Sequence, residues 1–291
     1  MSWALAAALL ALATLAALAT AGVSRRRRRR LDERRALRAR VGEALGRDAP
    51  QLVVGAAEAP ALAVRDRSGN ELFLPWARLA AAPTLDGLAG SLAFQLDSSV
   101  HPHGEAVALN KQARGLAPLL IPRAWLDWFA EGAPPHTTLA HTDLAAIYRF
   151  LDDPDARGRL VYLDRRSLEA TGLDVEGLHG ALMALLSQQL DEGPIRGLAA
   201  RHEPLVLNDG AGVSAAYLFL LPELLDAGRE LVALVPAAGC LVLADASRLD
   251  AAIEATRAAR IPDPGTAWLC ARPLSIRADG IRLATASAAG C

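Results

Sequence analysis

Cysteine is scarce in this sequence. The 291-residue chain holds three, Cys240, Cys270 and Cys291, an odd number without paired spacing. That suggests neither a disulfide framework nor a zinc site, and it fits a reducing compartment. Net charge is nearly absent, with 31 basic and 32 acidic residues. Aromatics make up 4% of the chain and do not interleave with its basic run. The stacking platform of a single-strand binder is therefore missing, and no nucleic-acid partner is expected. The last histidine is His202. A hydrolase elbow at Ser214, which needs its histidine later in the chain, is thereby excluded.

What the chain has in plenty is an apolar start. Residues 3–23 carry no charge, and Ser24 and six arginines (Arg25, Arg26, Arg27, Arg28, Arg29, Arg30) follow at once. A helix of about 20 apolar residues matches a bilayer's hydrocarbon core. The run predicts a single transmembrane anchor over 1–24, and the positive-inside rule puts its arginine flank in the cytoplasm and the N-terminus outside. A secretory signal peptide is the competing reading, supported by Ala19-Thr20-Ala21, but no basic region precedes the run. Residues 25–40 contain ten arginines against Asp32 and Glu33, a net of +8. The remaining 41–291 carry 21 basic and 30 acidic residues, a net of −9. Neutrality thus hides a basic collar and an acidic body. Beside a bilayer, each collar arginine would gain about 1 kcal/mol from anionic headgroups.

Residues 25–47 read as an Arg-rich juxtamembrane stalk helix, with Leu37, Val41 and Leu45 on one face and Gly46 as a stop. The stretch 50–291 reads as one α+β domain, or two lobes divided near 100–120. Ala61–Arg65 and Glu71–Leu74 flank a hairpin turn at Asp66–Asn70. Residues 97–115 read as a long loop, and Arg123–Ala130 as a short helix behind Pro122. Leu144–Leu151 and Leu160–Leu163 are predicted strands. Val175–Leu190 is the clearest helix, capped by Asp174. Leu205–Leu207 is a strand, and Ser214–Leu225 is helical, with a break at Pro222. Leu231–Val235 and Cys240–Ala244 form a hairpin. Arg248–Arg260 is helical, and 266–285 holds two or three strands. Hairpin-connected strands outnumber long helices, which predicts a mixed, largely antiparallel α+β body behind the N-terminal single transmembrane helix.

Asp143-Leu-Ala-Ala-Ile-Tyr148, Leu160-Val-Tyr-Leu163 and Leu173-Asp-Val-Glu-Gly-Leu178 together resemble the YtpQ-like family of bacterial proteins. The later order agrees: Ser214 opening an apolar helix, Leu231-Val-Ala-Leu-Val-Pro236, then Leu241-Val-Leu-Ala-Asp245. The similarity is best over about 140–250. The family is a domain of unknown function, so the resemblance implies a fold lineage and no reaction. Its members tend to carry polar residues just after the hairpin proline, where this chain has Ala238 and Gly239.

Several constellations invite chemistry. Gly210-Ala211-Gly212-Val213-Ser214-Ala215 fits G-x-G-x-x-A, but the following strand candidate ends in Pro236 rather than an acidic residue, so a turn at Asn208-Asp209-Gly210 is the preferred reading. His101, His103, His136, His141 and Asp143 are the candidate metal ligands, although neither histidine spacing is a standard ligand motif. Asp153, Asp155 and Gly158 follow a calcium-loop spacing, with Arg157 set among the ligands. Trp125, Trp128 and Phe129 read as core. No cofactor is expected. The function these features predict is a non-enzymatic binding or scaffolding domain at the cytoplasmic membrane face, with an unknown protein partner. The alternative is a membrane-tethered enzyme with an unfamiliar, metal-dependent site.

Overall fold

The computed structural model describes residues 28–96, 100–102, 115–129, 132–150, 160–169, 172–200, 203–209, 212–259 and 269–284. The chain divides into two compact units, 1–85 and 86–291.

In the first unit, helix α1 (28–48) turns Val41 and Leu45 inward, with Leu37 half-buried on the same face. It is followed by strands β1 (Val53–Val54), β2 (Ala61–Arg65) and β3 (Glu71–Pro75), an antiparallel sheet in that order. Alternation along β2 buries Leu62 and Val64 and leaves Ala61, Ala63 and Arg65 outward. The hairpin turn closes through Asp66, whose carboxylate accepts from the Asn70 backbone N–H and side-chain amide, both at 2.8 Å. Gly69 there has φ +89°, a conformation that glycine adopts freely. A short helix, α2 (Trp76–Ala81), follows β3 directly. Arginines of α1 knit this unit together: Arg38 Nε donates to the Gly55 carbonyl at 2.7 Å, Arg34 to the Ala59 carbonyl at 3.2 Å, and Arg35 pairs with Glu58 at 3.3 Å.

The second unit opens with α3 (Leu88–Leu96), β4 (Val100–Pro102) and β5 (Leu116–Pro122), then a 3-10 helix at Arg123–Trp128. Strands β6 (His136–Thr138), β7 (Leu144–Phe150) and β8 (Leu160–Tyr162) complete a sheet ordered β4-β8-β7-β5, with β6 beside β7. Its one parallel pair is β4 with β8. Helices α4 (Arg165–Glu169), α5 (Val175–Gln189) and α6 (Glu192–Arg196) follow. Asp174 caps α5 by accepting from the Gly177 N–H at 2.7 Å.

Strand β9 (Leu205–Asn208) leads into a 3-10 helix (Ser214–Phe219) and α7 (Leu221–Leu224), with Pro222 in its first turn. The hairpin β10 (Glu230–Ala237) and β11 (Cys240–Asp245), helix α8 (Leu249–Ala258), β12 (Cys270–Arg277) and β13 (Gly280–Leu283) finish the unit. Five strands make an antiparallel sheet ordered β13-β12-β10-β11-β9. The main core joins the two sheets: Leu120, Leu144 and Ala146 from one meet Leu231, Ala233, Val235, Leu241 and Leu274 from the other. The opposite face of the five-stranded antiparallel sheet packs Val232, Leu234 and Val242 against α8. Tyr148 and Phe150 pack against Leu178 and Leu182 of α5.

The expectation of an N-terminal transmembrane helix needs correction. Among the described residues no helix is long and apolar enough to cross a membrane. Helix α1 sets arginines and carboxylates among its apolar residues, which hydrocarbon does not tolerate. Helix α5, at 15 residues, is shorter than the roughly 20 a span requires. The apolar run at 3–23 lies outside the described residues, as do Arg25, Arg26 and Arg27. A single-pass membrane protein, with its N-terminus outside and its C-terminal domain cytoplasmic, is therefore not supported. The fold is a mixed α+β structure with several antiparallel sheets.

Candidate functional site

Two places in the second unit gather polar chemistry. The first is a half-buried node around Asp209, which directly follows β9. Its carboxylate accepts the Val213 N–H at 3.0 Å and the Ser214 hydroxyl. Its own N–H donates to the Gly239 carbonyl at 2.9 Å, and Ala215 N–H donates to the Ala238 carbonyl at 3.0 Å. The loop after β9 is thus laid directly on the β10–β11 hairpin tip. A Cβ on Gly239 would sit 2.6 Å from the Asp209 carbonyl oxygen, so this contact admits only glycine. Gly212, at φ +71°, faces the guanidinium of Arg149, which stands on β7. Arg149 is half-buried, and its buried Nε has no hydrogen-bond partner among the described residues. Burial lowers its pKa, opposed by the charge of Asp209. The Tyr217 phenol and the Cys240 thiol are pushed up, first by burial and then by the same carboxylate. One carboxylate thus bonds Ser214 and acts, second to burial, on the charge states of Arg149, Tyr217 and Cys240.

Beside it, Tyr148 links three elements. Its hydroxyl bonds Thr137 Oγ1 on β6 at 2.6 Å and His179 Nδ1 on α5 at 3.2 Å. Burial pushes the Tyr148 pKa up to about 12 and lowers that of His179, whose ring packs 4.6 Å from Phe219.

The second place is an open cleft of about 500 Å3. Its apolar lining is Pro122, Ala124, Leu126 and Ala133; its polar lining is Arg123, Asp127, His136 and Asp143. The 3-10 helix supplies Arg123 and Asp127. His136 Nδ1 lies 2.8 Å from the Pro134 carbonyl. A carbonyl only accepts, so Nδ1 carries the proton, and in the neutral ring Nε2 keeps its lone pair. Asp143 is ion-paired with Arg272 at 2.7 Å, and its carbonyl accepts the Arg123 N–H at 2.7 Å.

His136 and Asp143 share this cleft. His141 is exposed, with φ 59°. His101 is in β4, and His103 lies outside the described residues. Among the described residues no three His, Cys, Asp or Glu side chains come together as a metal site. The calcium-like spacing at Asp153, Asp155 and Gly158 lies outside the described residues. Gly210 and Ala211 of the glycine pattern lie outside the described residues; the Val213 N–H, just before a six-residue 3-10 helix, donates to Asp209. Trp128 and Phe129 are core, and Phe94 packs on Phe129 and Trp125. Sequence reasoning missed Arg149, Asp209 and His179. The available signal was a lone arginine in the apolar run Leu144–Leu151 and a lone histidine beside Leu178.

No protein-family model matches this chain, and neither a curated protein nor a solved structure matches it.

Proposed function

We propose that this chain is a non-enzymatic binding domain and that its recognition surface is the cleft between Pro122 and Asp143. One observation carries this reading. The cleft sets charges of both signs around apolar side chains in a volume typical of small-ligand sites, a few hundred Å3. At the node, Asp209 accepts from the Ser214 hydroxyl and the Val213 N–H, so this carboxylate holds its own segment in place. Nothing in the cleft pairs a nucleophile with a base in the manner of covalent catalysis.

The test is a fragment library screened against the full-length protein by NMR, reading the His136 ring and the Trp125 indole. Fragments that shift these signals, and lose the effect in the Arg123→Gln variant, support the reading. A library whose hits all map elsewhere overturns it.

A further inference from the structure

The groups the cleft leaves open also specify a ligand class, on the footing that it is the recognition surface. We propose that it takes a monocarboxylate with an apolar body. Both carboxylates of the lining are already engaged. Asp143 is ion-paired with Arg272 at 2.7 Å, and Asp127 has a partner of its own. The backbone N–H of Arg123 donates to the Asp143 carbonyl, but among the described residues nothing bonds its guanidinium, which is exposed at the wall of the cleft. In the neutral ring His136 has only an acceptor left, at Nε2, because Nδ1 is committed to Pro134. Arg123 is thus the one side-chain donor that the polar lining keeps for a ligand. Its planar fork fits the two oxygens of a carboxylate. Asp127 and Asp143 still stand in the lining, so further negative charge on the ligand would be repelled. That favours a single carboxylate over a phosphate or a dicarboxylate. Pro122, Ala124, Leu126 and Ala133 give an alkyl chain its contact, and a volume of about 500 Å3 has room for more than the headgroup.

The probe is hexanoate, titrated into the full-length protein by NMR and read at the His136 ring and the Trp125 indole. Hexanamide tests the charge, hexylammonium its sign, adipate the second carboxylate and acetate the apolar body. Hexanoate should bind, and each of the four should bind at least about tenfold more weakly, the worth of one charge-assisted hydrogen bond or two buried methylenes. Arg123→Gln should erase the preference for hexanoate over hexanamide. Asp127→Asn, which takes a negative charge out of the lining, should bind hexanoate at least as tightly as wild type. Both residues are exposed, so both variants should fold. No binding of hexanoate, equal binding of any of the four, or a preference that survives Arg123→Gln overturns the inference. The fragment screen separates this failure from that of the recognition surface. Fragments that still bind the cleft leave the surface standing and remove only its ligand class.

Discussion

The Asp209 node and the Pro122–Asp143 cleft use the same residue types to opposite ends. At the node, Ser214 is buried, Asp209 and Arg149 are half-buried, and Asp209 meets the hairpin tip at Gly239. At the cleft, Arg123, Asp127 and Asp143 are exposed, and only His136 is half-buried. Charges cost most where water is excluded, so the node is bound to stability; charges in an open cleft cost little, because water still reaches them. Substitutions should therefore divide cleanly between effects on folding and effects on binding.

The largest expected effect is Asp209→Ala. It removes the acceptor for Val213 and Ser214 and takes a negative charge away from Arg149, a loss of about 2–4 kcal/mol by chemical denaturation. Adding Arg149→Met should recover much of that loss, and a double-mutant cycle measures the coupling. Simple additivity of the two changes would erase the distinction drawn here. Next comes Gly239→Ala, whose methyl meets the Asp209 carbonyl. Backbone must shift, at about 1–3 kcal/mol, read as a lower unfolding midpoint at unchanged slope.

Third is Tyr148→Phe, which takes a buried hydroxyl from Thr137 and His179, a loss of about 1–2 kcal/mol. Tyr148 carries a pH signature as well. Its folded-state pKa, about 12, lies above the ordinary value of 10.0. The protonated phenol is thus favoured by folding. Its contribution is complete below pH 10 and is lost as pH rises towards 12. Wild-type stability should fall through that window more steeply than that of Tyr148→Phe; parallel profiles would dismiss the effect. The smallest change is Arg123→Gln, expected within about 0.5 kcal/mol of wild type because the side chain is exposed. A large loss of stability there would make the cleft structural and break the comparison from its other side.

The sequence spoke clearly wherever structure is local. Asp66–Asn70 and the Pro236–Gly239 hairpin were legible because turn chemistry and alternation lie within a few residues. The Asp174 cap and the Leu178, Leu182, Leu186 face revealed α5 in the same way. Helix α3 escaped notice because it has no polar outer stripe. Its Ser91 and Gln95 turn inward instead, to the carbonyls of Trp125 and Trp128. Strand β4 lay inside a stretch expected to be loop; three residues pairing in parallel with a distant strand leave no local pattern. The cleft was half visible, through His136 and Asp143 in the proposed ligand set. The node was invisible, because Arg149 and Asp209 are neighbours only once the two sheets are stacked.

The β4–β8 pair has a consequence in time. Val100 lies opposite Leu160, so that contact closes about sixty residues of chain, whereas β10–β11 and β12–β13 close through turns of a few residues. Local hairpins form in microseconds, and distant parallel pairings wait on the entropy of the loop they close. The β10–β11 and β12–β13 hairpins can therefore assemble early, with the strand at Val100–Pro102 arriving later.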